Sequence, residues 1–152
     1  MSASKRKGSA YERELVKHFE AQGLSARRVY ASGAVGTVLK QATGTDHQDL
    51  RGDVQVEIHN QTLCLEVKFR KHEFPQWLTA ISEPGRTGDW LVYPGPDLHL
   101  ALEIRKDPWT QKELKKTLPR TLAQMLGNSD ILALRFPKKP QNPSGWLLLL
   151  PL

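Results

Sequence analysis

The sequence has very little cysteine and no long hydrophobic run. Cys64 is the only cysteine among 152 residues, so no internal disulfide can form. The longest apolar run, Trp146 to Leu150, is far shorter than the roughly 18 consecutive apolar residues that a membrane-spanning helix needs. No apolar segment follows the basic residues after Met1, as it would in an export signal. We therefore expect a cytoplasmic protein with no membrane partner, of a length typical of one domain.

Acidic residues are fewer than basic ones, and they are concentrated in the middle of the chain. The formal net charge is +6, from 22 Lys and Arg against 16 Asp and Glu. Residues 1–40 contain 8 basic and 3 acidic side chains, residues 41–110 contain 7 and 11, and residues 111–152 contain 7 and 2. Basic ends around an acidic centre suit a protein that contacts a polyanion and holds a divalent metal. A solvated lysine-rich surface gives similar totals, so the charge leaves both interpretations open.

The first part of the chain predicts a helix, a strand and a loop. Residues 1–8 are basic and without period, and we expect a flexible arm there. A capping-box pattern over Ser9–Glu12, followed by apolar residues at spacings of three and four, predicts a helix over about Ala10–Gln22. A strand is predicted over Ser25–Tyr30. The Gly- and Thr-rich segment 31–45 predicts a mobile loop.

Residues 53–69 alternate between apolar and polar and predict a β-hairpin. A turn at residues 59–60 pairs residues whose numbers sum to 119, and this register directs every apolar side chain to the core. The same register sets Asp53 against Glu66.

The remaining segments complete an α/β fold that we expect to be a single domain over residues 1–152, with no internal repeat. Strands are predicted at 89–93, 98–104, 131–136 and 146–150, and helices at 75–82 and at 111–126, the latter broken near Pro119 and opened by a Thr110–Glu113 capping box.

The second hairpin strand carries a candidate catalytic group. Glu66 and Lys68 lie two residues apart, so both point away from the apolar face, roughly 6.5 to 7 Å apart, while Asp53 enters from the partner strand. Carboxylates hold Mg²⁺, the carbonyl of Val67 can add to its shell, and a cation orients water or stabilises charge on a phosphate. A solvated strand face with charge pairs has the same spacing, so the spacing leaves both interpretations open.

Glu12 is a further candidate because it shares a helix face with Val16 and Phe19, which directs its carboxylate toward the core. A carboxylate is seldom found there without a partner. The alternative is the reciprocal capping-box bond with Ser9, and the helix pattern does not decide between the two roles.

Four motifs resemble those of the archaeal-type Holliday junction resolvases (Hjc), members of the restriction-endonuclease-like PD-(D/E)xK nuclease superfamily. Residues 5–13, KRKGSAYER, are similar to the family's R-K-G-x-x-x-E-R signature, and Ala31-Ser-Gly33 is similar to its A-S-G loop. Gly52-Asp53 corresponds to its P-D, and Glu66-Val-Lys68 to its E-x-K. The resemblance is clear over residues 5–71. Residues 111–152 fall in a part that varies within the family.

The resemblance implies a restriction-endonuclease-like core, with a central mixed β-sheet flanked by helices. It implies that Glu12, Asp53 and Glu66 supply metal or water ligands for Mg²⁺, for which Mn²⁺ substitutes, and that no small-molecule cofactor is needed. The residues that it assigns to catalysis are Glu12, Ser32, Asp53, Glu66 and Lys68. A homodimer would resolve four-way DNA junctions by paired nicks that leave 5′-phosphate and 3′-hydroxyl ends, in DNA recombination and repair.

Two features depart from the family pattern. Gly52 replaces the usual proline, and the segment from Gly33 to Arg51 is several residues longer than the family leads us to expect. Neither departure changes a candidate ligand.

Basic residues flank the candidate site and are expected to contact DNA phosphates. They are Lys5, Arg6, Lys7, Arg13, Arg27, Arg28, Arg70 and Lys71. Some of these cations are expected only to solvate the fold, so the prediction concerns the cluster.

Other signals are weaker. The spacing of Asp46, His47, Asp49 and Cys64 fits no closed zinc site. The aromatic residues Phe69, Phe74, Trp77 and Trp90 are expected in the core or at a dimer surface.

Two alternative functions stay open. The first is a nuclease with the same core that cuts linear or other branched DNA, and the second is a branched-DNA-binding module without catalysis. Comparing cleavage of a four-way junction with cleavage of matched duplex distinguishes a junction resolvase from the first alternative. Metal-dependent cleavage distinguishes a nuclease from the second.

Overall fold

Seven strands form one mixed sheet with helices beside it. The structure is a computed structural model that describes residues 3–29, 52–71 and 86–152. The elements in chain order are α1 (Ala3–Ala21), β1 (Ser25–Arg28), β2 (Val54–Ile58), β3 (Gln61–Phe69), β4 (Arg86–Pro94), α2 (Leu98–Lys106), α3 (Pro108–Gln111), β5 (Lys115–Pro119), α4 (Arg120–Leu126), β6 (Ile131–Arg135) and β7 (Trp146–Pro151).

The strand order is β1-β2-β3-β6-β7-β4-β5. Strand β3 pairs with β6 in parallel, and the other neighbours pair antiparallel. The predicted α/β class, with a central mixed sheet flanked by helices, is therefore confirmed. The parallel pair lies at the centre, so the hairpin with the candidate residues is joined directly to the strands of the C-terminal half.

Apolar clusters cover both faces of the sheet. Since successive side chains of a strand point to opposite faces, the leucine-rich strands β6 and β7 contribute apolar side chains to both clusters. Helices α1 and α2 cover the first face with Leu15, Phe19 and Leu98, and α4 covers the second face with Leu122. Burial on both sides explains the continuous hydrophobic run at 146–150.

The predicted hairpin and its register are confirmed. Val54 pairs with Leu65 and Val56 with Leu63, and all four side chains are buried in the first cluster. The turn residues His59 and Asn60 have φ of 52° and 61°, the conformation of a two-residue turn that matches the twist of the strands. Glu66 and Lys68 alternate with these apolar residues and therefore lie on the second face.

The first helix begins earlier than predicted. It starts at Ala3 instead of Ala10, so residues 3–8, which we expected to form a flexible arm, are helical. The segment contains no proline or β-branched residue, and Ala, Lys and Arg favour the helix. Ser9 is not a cap, since its hydroxyl accepts a hydrogen bond from Arg28 at 3.1 Å.

The strand predicted at 98–104 is wrong, because this segment is the helix α2. Alternating leucines suggested a strand, but the buried residues are Leu98, Ala101 and Leu102, at helical spacing, whereas Leu100 is 45% exposed. Asp97 begins the helix by accepting the Leu100 N–H at 3.1 Å.

The helical stretches predicted at 111–126, with a break near Pro119, are wrong over residues 115–119. Asp107 caps the short helix α3 by accepting the Trp109 N–H at 3.0 Å, so the Thr110 capping box is not used. Residues 115–119 then form β5 beside β4, where the Thr117 hydroxyl donates to Asp89 at 2.8 Å. Only residues 120–126 of the predicted helix are helical as α4.

The other predicted strands agree with β1, β4, β6 and β7 to within a few residues. The predicted helix at 75–82 and the loop at 31–45 lie outside the described residues. Among the described helices, none is long and apolar enough to cross a membrane. Trp90 is buried in the second core cluster, and Phe69 stacks on Tyr11 with ring centroids 4.6 Å apart. Phe74 and Trp77 lie outside the described residues.

Candidate active site

The hairpin brings two carboxylates and an ammonium together. The residue Asp53 immediately precedes β2, and its Oδ2 accepts the N–H of Val67 at 2.9 Å. This bond ties the carboxylate to the main chain between Glu66 and Lys68. The Lys68 Nζ lies 3.9 Å from Glu66 Oε2, with the lysine side chain 41% exposed and the glutamate 24% exposed. The site is therefore partly open to solvent on the lysine side.

Burial and neighbouring negative charge perturb Glu66. Its pKa is raised from 4.5 to about 7, chiefly by burial, then by the charge of Asp53 and a hydrogen bond with it. Lys68 lowers this pKa and Glu12 raises it further. Carboxylates that oppose each other's ionisation form a local excess of negative charge, which a cation relieves.

Glu12 lies on α1, near enough to Asp53 for the two charges to influence each other. Its Oε2 accepts Arg28 Nε at 3.1 Å, and Arg28 Nη2 donates to Ser9 at 3.1 Å. Burial raises the pKa of Glu12, the bond with Arg28 lowers it, and the charge of Asp53 raises it again. Glu12 therefore does not make the reciprocal capping-box bond, since Ser9 lies inside the helix and both side chains contact Arg28.

The donor set is compatible with a divalent metal. Glu12, Asp53 and Glu66 offer hard carboxylate oxygens, as Mg²⁺ prefers, and the pKa of Glu66 is raised first by burial and then by the charge of Asp53. Across residues 3–29, 52–71 and 86–152, no three His, Cys, Asp or Glu side chains meet at metal-binding spacing. The fit to a metal site is therefore one of ligand chemistry and not of spacing.

The amino-terminal half of the chain matches a known protein family. Residues 3–76 match the archaeal Holliday junction resolvase (Hjc) family. The predicted resemblance is confirmed over this range, which contains Glu12, Asp53, Glu66 and Lys68, and it supports a nuclease function of the Holliday junction resolvase type. No curated protein matches the chain.

Gly52, where the motif resemblance leads us to expect proline, has a backbone conformation that proline cannot adopt. Gly52 has φ of 72°, whereas proline requires a φ near −65°. A Cβ at this position would lie 2.9 Å from the Leu65 carbonyl oxygen and 3.0 Å from Ser129 Oγ. The chain thus enters β2 along a path that only glycine follows without strain, and Asp53 still reaches Val67.

A basic cleft lies between α1 and β1, beside the Hjc motif residues. It has a volume of about 330 Å³ and is lined by Arg13, Val16, Lys17, Glu20, Arg27 and Arg28. Arg27 is held by Gln55, whose Oε1 accepts Nη2 at 2.7 Å and Nε at 3.3 Å. Three of the predicted DNA-contacting residues thus share one surface.

Lys17 was not predicted as part of this surface. It lies four residues after Arg13 on α1, the spacing that places two side chains on one helix face, and this spacing was the available signal.

The other predicted residues are more scattered. Arg70 is exposed, donating to the Phe69 carbonyl and approaching Met125 Sδ at 3.6 Å, and Lys71 is exposed. The backbone of Lys5, Arg6 and Lys7 lies in α1, and their side chains lie outside the described set. Ser32, Asp46, His47 and Asp49 lie outside the described residues. Cys64 is buried, and its N–H donates to Asp130 at 2.8 Å.

Proposed function

We propose that this protein is a metal-dependent endodeoxyribonuclease that resolves four-way DNA junctions by paired nicks. The observation that carries the proposal is the convergence of Asp53, Glu66 and Lys68 on one hairpin, with Glu12 contributed by α1. The Hjc family match over residues 3–76 supports this choice among the functions that such a group can serve. Its function in the cell would be DNA recombination and repair.

Hydrolysis forms a bond between the water oxygen and phosphorus and breaks the bond from phosphorus to the 3′ oxygen. The water loses a proton to solvent and the 3′ oxygen takes one up, which gives 5′-phosphate and 3′-hydroxyl ends. In the proposed mechanism the Lys68 ammonium donates to the attacking water or to a phosphate oxygen and so orients it. The Val67 N–H fixes the carboxylate of Asp53. Arg28 in turn fixes the carboxylate of Glu12.

A divalent cation, Mg²⁺ or Mn²⁺, would be held by Asp53 and Glu66, with the Val67 carbonyl and Glu12 assisting. When bound, it supplies Lewis-acid polarisation of the phosphate and lowers the pKa of a water molecule. The negative charge shared by the carboxylates is what favours its binding.

The basic cleft is proposed to hold a phosphate backbone next to the site. The lining of the cleft is positive, because it contains one acidic residue, Glu20, and four basic ones: Arg13, Lys17, Arg27 and Arg28. Since Arg28 also contacts Glu12, a strand in the cleft would lie beside the catalytic carboxylates. We propose that a homodimer presents two such sites to opposite strands of the junction, as paired nicking requires.

The test uses a labelled four-way junction and a matched linear duplex, each with Mg²⁺ and with EDTA. We expect paired nicks in the junction that require metal and are lost in Asp53→Asn. The matched control is Asp130→Asn, because Asp130 also accepts a β3 backbone N–H, at 2.8 Å from Cys64, but lies outside the site. Asp130→Asn should cut like wild type.

Other outcomes favour the alternatives. Equal cutting of duplex and junction would keep the chemistry and reject junction selectivity. Binding of the junction without cutting in either Mg²⁺ or Mn²⁺ would reject the catalytic roles and favour a binding module.

A further inference from the structure

We propose that Arg135 and Trp146, which lie beyond the residues that match the Hjc family, are positioning residues for the nuclease site, since they fix through Glu14 the helix that carries Glu12. The inference rests on the proposed function of that site. It gives the C-terminal half of the chain a direct role in the geometry of the N-terminal motifs.

Two strands hold α1 through one carboxylate oxygen. Arg135 Nε, at the end of β6, and Trp146 Nε1, at the start of β7, each donate to Glu14 Oε1 at 2.9 Å. The indole is fully buried and Arg135 is 7% exposed. His18 Nε2, one turn further along α1, lies 3.8 Å from the same oxygen. Glu14 is thus held by side chains 121 and 132 residues away in sequence.

Tyr11 provides a second contact on the same side of the helix. The Arg135 guanidinium lies 5.2 Å from the centre of the Tyr11 ring. The same ring stacks on Phe69, with centroids 4.6 Å apart, and Phe69 lies on the strand that carries Glu66 and Lys68. Tyr11 and Glu14 stand on either side of Glu12 in sequence, so together they fix both the rotation and the axial position of α1 at that residue.

A glycine leaves room for the arginine. Gly145 has φ of 77°, and a Cβ there would collide with Arg135 Nη1 and with the Phe136 carbonyl. The same Nη1 donates to the Phe136 carbonyl. The backbone before β7 is therefore shaped around the guanidinium.

Stability alone does not explain this arrangement. Burying an ion pair costs desolvation, and well-packed apolar side chains of similar volume are often as stabilising. The contacts with Glu14 fix the orientation of α1 on the sheet, since the planar guanidinium and the indole N–H meet one oxygen in a fixed geometry. The bond between Glu12 Oε2 and Arg28 Nε, at 3.1 Å, depends on α1 keeping this position relative to β1.

The first test measures position without activity. In the 152-residue protein the Arg28 Nε–H resonance, assigned with Arg28→Lys, reports the bond of Arg28 with Glu12. Trp146→Phe removes the indole donor and keeps a ring, and we expect this resonance to shift toward the position of a solvent-exposed arginine. Trp90→Phe is the matched control, since Trp90 is also buried but lies in the second core cluster, and should leave the resonance unchanged.

The second test is a double-mutant cycle in single-turnover cleavage of the junction. Trp146→Phe should reduce the cleavage rate about tenfold and leave junction affinity in EDTA within about twofold. In a Glu12→Gln background, Trp146→Phe should alter the residual cleavage rate less than twofold, because the contacts of Arg135 and Trp146 with Glu14, here called the anchor, act through Glu12. Arg135→Lys, which keeps the charge and loses the Nε donor, should behave like Trp146→Phe and serves if that variant does not fold.

Two results would overturn the inference. One is a folded variant whose Arg28 resonance stays in place, and the other is a rate loss that is additive with Glu12→Gln. If wild type does not cleave at all, the proposed function fails, while the resonance of Arg28 still decides whether the anchor positions Glu12.

Discussion

The N–H of Val67 donates to Asp53 Oδ2 at 2.9 Å, so the main chain of β3 holds the carboxylate that precedes β2. The donor lies between the two residues of the E-x-K motif. Asp53 and Glu66 are therefore fixed to one another through backbone, which moves less than side chains do. This explains how the group keeps its geometry although Lys68 is partly exposed.

The first prediction separates this structural bond from the charge of Asp53. Asp53→Asn keeps an oxygen acceptor, so its free energy of unfolding should lie within a few tenths of a kcal/mol of the wild-type value. Asp53→Ala leaves the Val67 N–H without that acceptor and should lose about 1–2 kcal/mol. Urea denaturation checks both. Equal stability of the two variants would show that the bond contributes nothing to the fold.

The second prediction concerns the residue that differs from the Hjc motif. Gly52→Pro introduces the proline of the Hjc motif but requires a negative φ where the chain has 72°, and Gly52→Ala places a Cβ 2.9 Å from the Leu65 carbonyl. We expect each to lose about 2–3 kcal/mol or more. Gly127→Ala is the control, because Gly127 has φ of 58° but nothing within 4 Å of a Cβ, and should lose about 1 kcal/mol.

Melting temperatures measured by thermal denaturation check this prediction, and both Gly52 variants should melt below Gly127→Ala. If Gly52→Pro melts at the wild-type temperature, the turn before β2 differs from the one described.

The hairpin was predictable because two independent signals agree there. The period-two pattern of residues 54–58 and 61–69 and the two-residue turn fix the same register, so the position of Asp53 beside Glu66 follows from sequence. At 98–106 the signals conflict. Alternating leucines favour a strand, while the Asp97 cap favours a helix, and packing of Ala101 and Leu102 on the sheet decides for the helix.

The contacts of Glu12 and the basic cleft were only partly predictable. Sequence spacing places Glu12 on the core side of α1, but its bond with Arg28 depends on how α1 packs on β1. The anchor at Glu14 depends on strands more than a hundred residues away, which no local pattern reveals. Long-range packing is therefore what the sequence left undetermined.

The third prediction follows from the raised pKa of Glu66. Its carboxyl has a pKa of about 7 in the fold and near 4.5 when unfolded, so the native state binds the extra proton between these values. Stability without metal should therefore fall as pH rises from about 4.5 to about 7. Glu66→Gln removes this loss and should be more stable than wild type at pH 8 by about 1 kcal/mol, after allowance for solvent screening.

Melting temperatures in EDTA at pH 4.5 and pH 8 test this sign. The two proteins should melt together at the lower pH and separate at the higher one. Mg²⁺ at pH 8 should raise the melting temperature of wild type more than that of Glu66→Gln, because the carboxylate is a proposed ligand. A wild-type protein that is the more stable at pH 8 in EDTA would contradict the prediction.

The fourth prediction assigns the basic cleft to DNA phosphates. Arg13→Ala and Lys17→Ala should each weaken junction binding in EDTA by about three- to tenfold and lower the slope of log K against log salt by about 1, since one phosphate contact is lost. Lys116→Ala is the matched control, because Lys116 is an exposed lysine on β5, at the edge of the sheet opposite β1. If Lys116→Ala changes affinity and slope as much as Lys17→Ala does, the affinity comes from net charge and the cleft has no special role. If the cleft variants alone change the slope, the phosphate backbone passes beside Arg28 and therefore beside Glu12.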